Sequence, residues 1–112
     1  MYFVNLLKKQ SKLPQQNKMK EGIMMLTLQD NSRNRLTLFI QGVEVGLIDY
    51  MIQGQQITVM HTEVYQEFTG KGYAQFLVQS FLNIAHLRQL QQAAICPYAM
   101  KYFEKHGITN YA

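Results

Sequence analysis

The sequence has a single cysteine, two prolines and no tryptophan in 112 residues. One cysteine excludes an internal disulfide framework, so an apolar core has to hold the fold. No apolar run approaches the roughly 18 residues needed to cross a bilayer. Met1–Leu7 has no basic flank before it and no small-residue cleavage site after it, which argues against a signal peptide. These absences point to a soluble cytoplasmic protein in a reducing compartment, with no membrane partner. Charged residues are scarce at 16 per cent, against 47 per cent hydrophobic, which is the balance of a globular chain. This length suits one domain that buries roughly two thirds of its unfolded surface.

Acidic residues are missing from the first twenty positions, which carry Lys8, Lys9, Lys12, Lys18 and Lys20. The other 92 residues hold six basic and seven acidic side chains, so the net charge of +4 belongs to the N-terminal segment. Residues 1–21 therefore read as a basic arm or extra segment, and 22–112 as the domain. Residues 8–20 are mostly Lys, Gln, Ser and Asn around Pro14, a linker composition. A lysine-rich arm binds nucleic acid or an anionic surface, or is simply solvated. It has no arginine, and its aromatics stop at Phe3, so nucleic acid is not expected as a partner.

From Ile23 the apolar residues alternate. Met24–Gln29, Arg35–Gln41, Val43–Ile52 and Gln56–Val64 read as four strands, joined by turns at 30–34, 41–42 and 53–55. Gly46 marks a bulge. Short loops favour antiparallel hairpins. The period then changes. Tyr73, Leu77, Phe81, Ile84 and Ala85, widened by Ala74, Val78 and Leu82, form one broad face of a helix over 73–90. Ala93–Cys96 reads as a strand buried on both faces, and Tyr98–Lys105 as a shorter helix stopped by Gly107. The class is α+β. A mixed, mostly antiparallel sheet of about five strands has the long helix between strands four and five, which makes that pair parallel.

The stretch with most chemistry is Glu67-Phe68-Thr69-Gly70-Lys71-Gly72-Tyr73-Ala74, between strand and helix. Gly70 and Gly72 allow positive φ and a close approach to the backbone. The first turn of the helix leaves N–H groups unpaired at the positive end of its dipole, a setting for phosphate or pyrophosphate. Lys71 adds a cation. A plain tight turn is the alternative.

His61 and Glu63 are two apart on a strand and share a face, so either can accept a proton. The alternative is a packed histidine beside a surface glutamate. Tyr98 and Tyr102 share a helix face, as a proton donor or as an aromatic pair packed on the sheet. Cys96 is either a reactive thiol or a small core residue. His106 caps the last helix. His61, His86, His106 and Cys96 show no metal-ligand spacing, so no metal is expected.

Over residues 56–108 the sequence resembles the GNAT acetyltransferases, most of all their short single-domain branch. In that superfamily a loop of the form Gln/Arg-x-x-Gly-x-Gly/Ala opens the main helix. Here Thr69-Gly70-Lys71-Gly72-Tyr73-Ala74 fills it, with both small positions matched and Thr69 in the Gln/Arg slot. His61-Thr62-Glu63-Val64, Cys96-Pro97-Tyr98 and Tyr102-Phe103-Glu104-Lys105-His106 resemble the short branch in the same order.

The resemblance implies a three-layer GNAT-like fold and an acetyl-CoA-dependent N-acetyltransferase, with acetyl-CoA as cosubstrate. Thr69, Gly70, Lys71, Gly72, Tyr73 and Ala74 would wrap the pyrophosphate. The backbone around Thr62 and Val64 would hold the thioester arm where strands four and five part. His61, Glu63, Cys96 and Tyr102 would supply proton transfer or thiol chemistry. Phe103 occupies the slot of the superfamily's tyrosine acid. The acceptor would be a protein or peptide lysine or a small amine, and the protein a monomer or weak dimer. A non-catalytic acyl-CoA-binding module and a partner-binding protein acting through the arm are the other readings.

Overall fold

The computed structural model describes residues 3–5, 26–31 and 34–112. Its six strands lie in one sheet in sequence order: β1 (Phe3–Asn5), β2 (Leu26–Asn31), β3 (Arg35–Ile40), β4 (Val43–Gln53), β5 (Gln56–Val64) and β6 (Gln91–Ala94). The pairs from β1 to β5 are antiparallel, and β5 with β6 is parallel. The expected strands are thus β2 to β6, with β1 added at the edge. The remainder of the expected arm, its lysines and the boundary at 21/22 lie outside the described residues. Helix α1 (Tyr73–Leu87) links β5 to β6, and α2 (Pro97–Lys105) follows. No helix among the described residues is long and apolar enough to cross a membrane.

Alternation puts Leu36 and Leu38 of β3, Ile48 and Tyr50 of β4, and Ile57 and Val59 of β5 on one sheet face. Leu77, Val78, Phe81, Ile84 and Ala85 of α1 pack on that face, joined by Ala99 and Phe103 of α2. The broad face expected of the long helix is the buried one. Leu82, Tyr73 and Phe76 are half-buried at its margin.

Several details differ from expectation. Asp30 and Asn31 belong to β2 rather than a turn, because the Asp30 carboxylate is buried and accepts the Tyr50 hydroxyl hydrogen. The bulge falls at Val45, between the pairs Phe39–Glu44 and Leu38–Gly46. Gly46 is needed for another reason: a Cβ there would sit 2.6 Å from the Glu63 carbonyl oxygen of β5. Helix α1 stops at Leu87, because Gln89 takes a left-handed conformation (φ 57°) and Leu90 N–H bonds back to the Ala85 carbonyl at 2.9 Å. Finally, β6 begins and ends two residues earlier than expected, at Gln91–Ala94. Ala93 and Ala94 are buried, but Ile95 is 51% exposed, so the strand is not covered over its expected length.

The outer edge of β6 is closed by the C-terminal segment. Asn110 Oδ1 accepts from Ala94 N–H at 3.0 Å, and Asn110 Nδ2 donates to the Ala94 carbonyl at 2.9 Å. Tyr111 N–H bonds to the Gln92 carbonyl at 3.1 Å.

Candidate active site

β5 and β6 pair only from Gln56–Gln91 to Val59–Ala94, while β5 continues beside β4 to Val64. At the point of parting the Val59 carbonyl accepts from both Ile95 N–H (3.0 Å) and Cys96 N–H (3.3 Å). Beyond it the chain of β6 turns away into α2, with Cys96 as N-cap and Pro97 in the first turn. This leaves a gap in the strand pairing along the α2 side of β5, from Met60 to Val64.

A bulge decides which groups face that gap. Asp49 pairs with His61 and Tyr50 with Val59, so Met60 is the extra residue. Tyr65 N–H bonds to the Val45 carbonyl, which makes Tyr65, Glu63 and His61 the residues bonded to β4. The N–H and C=O groups of Thr62 and Val64 therefore point the other way, into the gap. Without the extra residue at Met60 this parity would reverse. Nothing in the residue type at Met60 announces the bulge.

The same shift sorts the side chains. Thr62 and Val64 lie on the core side, where Val64 packs on the cluster. The Cys96 thiol donates to the Thr62 hydroxyl oxygen at 3.5 Å. Cys96 is buried. Burial pushes its thiol up, but the Thr62 hydroxyl and the nearby amides of Ala99, Tyr98 and Thr62 outweigh it and hold the pKa below the ordinary value.

His61 and Glu63 project from the opposite face, both exposed, with His61 Nε2 and Glu63 Oε1 3.3 Å apart. Asp49 is directly opposite His61 in the register and is bound in a fork by Arg35, at 2.7 and 3.2 Å. The Tyr65 hydroxyl donates to the Glu44 carboxylate, and that bond, with some desolvation, pushes the phenol up to about 12.

The loop 69–72 leads from a short 3-10 turn, Gln66–Phe68, into α1. Gly70 and Gly72 both have φ near +80°, and a Cβ on either would meet nothing within 4 Å. The first internal bond of the helix is Phe76 N–H to the Gly72 carbonyl at 3.1 Å. Among the described residues no acceptor engages the amides of Gly70, Lys71, Gly72, Tyr73, Ala74 or Gln75. Uncommitted donors at the positive end of a helix are of a kind that suits anionic oxygen. Lys71 is exposed beside them, in no ion pair among the described residues. Thr69 differs from the rest of the loop, since its amide and hydroxyl both bond to the Gln66 carbonyl, at 3.3 and 3.0 Å.

The structure thus brings Thr62 and Cys96 together where β5 and β6 part, with Val64 two residues further along the same face of β5 and His61 and Glu63 on the opposite face. It does not bring Tyr102 there. Tyr102 lies six residues along α2 from Cys96, about 9 Å of helix axis, and its ring packs against His106, tilted by 33°, with centroids 4.2 Å apart. Phe103 is buried in the core. Tyr98 lies at the surface of α2, its phenol pushed up by partial burial and by Tyr102. Among the described residues there is no cluster of three or more His, Cys, Asp or Glu that could hold a metal.

A parallel strand pair that splays beside the amide mouth of its crossover helix is the arrangement of the GNAT fold. The N-acetylglutamate synthase of Neisseria gonorrhoeae, solved with coenzyme A and N-acetyl-glutamate, superposes with a TM-score of 0.57 at 12% identity, over 95% of this chain and 28% of that one. A ribosomal-protein-alanine N-acetyltransferase from Brucella melitensis biovar Abortus 2308 gives 0.55 at 18% identity, over 70% and 65%. The PaiA N-acetyltransferase of Thermoplasma acidophilum, in complex with coenzyme A, gives 0.53 at 16%, over 64% and 48%. The chain spans less than two thirds of the length of each. Residues 35–111 match the family model described as GCN5-related N-acetyl-transferase, and the chain belongs to that family. No curated protein matches the sequence.

Proposed function

We propose that the protein is an acetyl-CoA-dependent N-acetyltransferase acting on an amine. One observation carries the reading: six unpaired amides at the mouth of α1 lie on the same crossover as a gap edged by the free backbone groups of Thr62 and Val64. The first feature suits a pyrophosphate and the second an amide-containing arm that ends in a thioester. Gly70, Lys71, Gly72, Tyr73 and Ala74 are assigned to the pyrophosphate through their amides. Thr69 holds the loop closed. Thr62 and Val64 are assigned to the arm.

In this reading the cosubstrate enters from the helix side and the acceptor from the face that carries His61 and Glu63. The amine nitrogen attacks the thioester carbon, a C–N bond forms and the C–S bond breaks. A free lysine-type amine has a pKa near 10.4 and arrives protonated. The His61–Glu63 pair takes that proton. An N–H of β5 in the gap stabilises the developing oxyanion. The departing thiolate takes a proton from Cys96, whose lowered pKa makes it a better acid than an ordinary thiol. Holding the two reactants in line is worth up to about 7–11 kcal/mol in well-oriented systems.

The finer assignments are part of the proposal: a protein or peptide lysine or a small amine as acceptor, and 22–112 as the functional domain. A second reading, a CoA-binding module without catalysis, is favoured by Phe103, which has no hydroxyl and is buried. Melting curves with and without coenzyme A test what the two share. At 100 times its dissociation constant a ligand adds about 2.7 kcal/mol. Thiol release from acetyl-CoA in the presence of amine mixtures, with mass spectrometry of the products, separates them. Thiol release that His61→Ala and Glu63→Gln slow, without loss of CoA binding, supports the enzyme. Binding without thiol release supports the module. No stabilisation by coenzyme A overturns both.

A further inference from the structure

Residues 6–25 join Asn5 of β1 to Leu26 of β2 and carry Lys8, Lys9, Lys12, Lys18 and Lys20, none of which the reaction above uses. We propose that the protein acetylates its own chain, at Lys12, Lys18 and Lys20. The inference rests on the acetyl-transfer reading and deepens it by naming the acceptor. These lysines lie outside the described residues, so chain length and the two described ends of the connection set what they can reach.

Three observations support it. The register puts both ends of the connection at the reacting end of the sheet. Asn5 pairs with Thr27, Thr27 with Phe39 and Phe39 with Glu44, and the Glu44 carboxylate accepts the Tyr65 hydroxyl hydrogen. Asn5 and Leu26 therefore sit about level with Tyr65, two residues past Glu63 on β5. Next, the chain is long enough for some of the lysines and too short for others. Three strand spacings separate β2 from β5, about 14 Å, and four separate β1 from β5, about 19 Å. At about 3.4 Å per residue, Lys12 has about 24 Å of chain from Asn5, while Lys18 and Lys20 have about 27 and 20 Å from Leu26. Lys8 and Lys9 have only about 10 and 14 Å from Asn5, less than the four spacings. Lastly, the charges are complementary. The face that carries His61 exposes Glu44 and Glu63, with Asp49 part-exposed in its fork with Arg35. The first twenty residues hold five lysines and no acid. Opposite charge concentrates the acceptor at that face, and a shared chain makes the encounter first order.

The transfer balances as an ordinary acetylation. One ammonium proton goes to the His61–Glu63 pair and on to solvent, and a second ends on the departing thiolate. The N–C bond forms, the C–S bond breaks, and each transfer removes one positive charge.

The test is incubation of the whole chain with deuterium-labelled acetyl-CoA and no other amine, over a wide range of protein concentration, read by peptide mass spectrometry. The label distinguishes new acetyl groups from any carried beforehand. It should appear on Lys12, Lys18 and Lys20 rather than Lys8 or Lys9, in a fraction per unit time that does not depend on protein concentration. The His61→Ala/Glu63→Gln variant should be about a hundredfold slower. Lys12→Arg/Lys18→Arg/Lys20→Arg should lose the label and keep the wild-type melting shift with coenzyme A. Label spread equally over Lys71, Lys101 and Lys105, at a rate the His61 and Glu63 substitutions leave unchanged, is uncatalysed acetylation and overturns the inference. A labelled fraction that rises with protein concentration shows transfer between chains and overturns it as well. Absence of label while added amines are acetylated overturns it and leaves the acetyl-transfer reading standing. Absence of label with no thiol release toward any amine overturns both.

Discussion

The Cys96 thiol and the Thr62 hydroxyl meet across the point where β5 and β6 part, sulfur to oxygen at 3.5 Å. They come from the end of one strand pair and the N-cap of a helix, 34 residues apart in the chain. The contact ties the edge of the gap to the first turn of α2. It also helps hold the thiol below its ordinary pKa, against burial. Thr62→Val keeps the shape and removes the hydroxyl. The pH midpoint for alkylation of Cys96 should move upward, followed by mass spectrometry of the trapped thiol. A second consequence concerns stability. An acid whose folded pKa is lowered contributes stability that is full above its unfolded value, 9.0 here, and is lost as pH falls through the folded value. Wild type should therefore gain stability relative to Cys96→Ala as pH rises toward 9.

Tyr65 has the opposite sign. Its phenol is raised from 10.0 to about 12, chiefly by its hydrogen bond to Glu44. The stabilising effect is complete below pH 10 and is lost as pH rises through about 12. Ultraviolet titration of the tyrosines should show one late phenolate. In Glu44→Gln that group should titrate nearer 10.

Gly72 separates binding from folding. Its φ of 83° makes any side chain cost about 1–2 kcal/mol, but no atom lies within 4 Å of a Cβ there. Gly72→Ala should lower the melting temperature by a few degrees and keep affinity for coenzyme A within a few-fold. Gly72→Glu should fold with a similar loss and abolish that affinity, because its charge lies at the mouth of α1.

Gly46 is the converse case, a glycine required by contact rather than by conformation. A methyl group there would stand 2.6 Å from the Glu63 carbonyl and 3.2 Å from Val64 Cα, both backbone atoms that cannot swing aside. Gly46→Ala should cost about 1–3 kcal/mol by chemical denaturation. It should also disturb the strand that presents Glu63 and Val64.

The hairpins were readable because their turns carry Gly42 and Gly54 between alternating strands. The end of α2 was readable for the same reason. Gly107, at φ 66°, allows Ile108 N–H to bond the Phe103 carbonyl at 2.8 Å. Helix α1 ends with the same pattern of bonds, but Gln89 fills the left-handed slot, and no residue type marked it. The left-handed turn at the mouth of α1 was legible from Gly70 and Gly72. The facing of Thr62 and Val64 into the gap was not, since it depends on one extra residue at Met60 and on pairing with β4. The placing of Cys96 moved from a strand end to a helix N-cap because Gln91 and Gln92, polar residues, form the start of β6.

Asn110 gives the sheet a finished border. Its carboxamide offers Ala94 one acceptor and one donor, as the peptide groups of a seventh strand would. Residue Ala94 thus has no spare hydrogen-bonding groups with which to recruit an extended segment from another molecule. Exchanging that amide for a methyl group would strip this border, and the expected penalty is self-association at high concentration rather than unfolding.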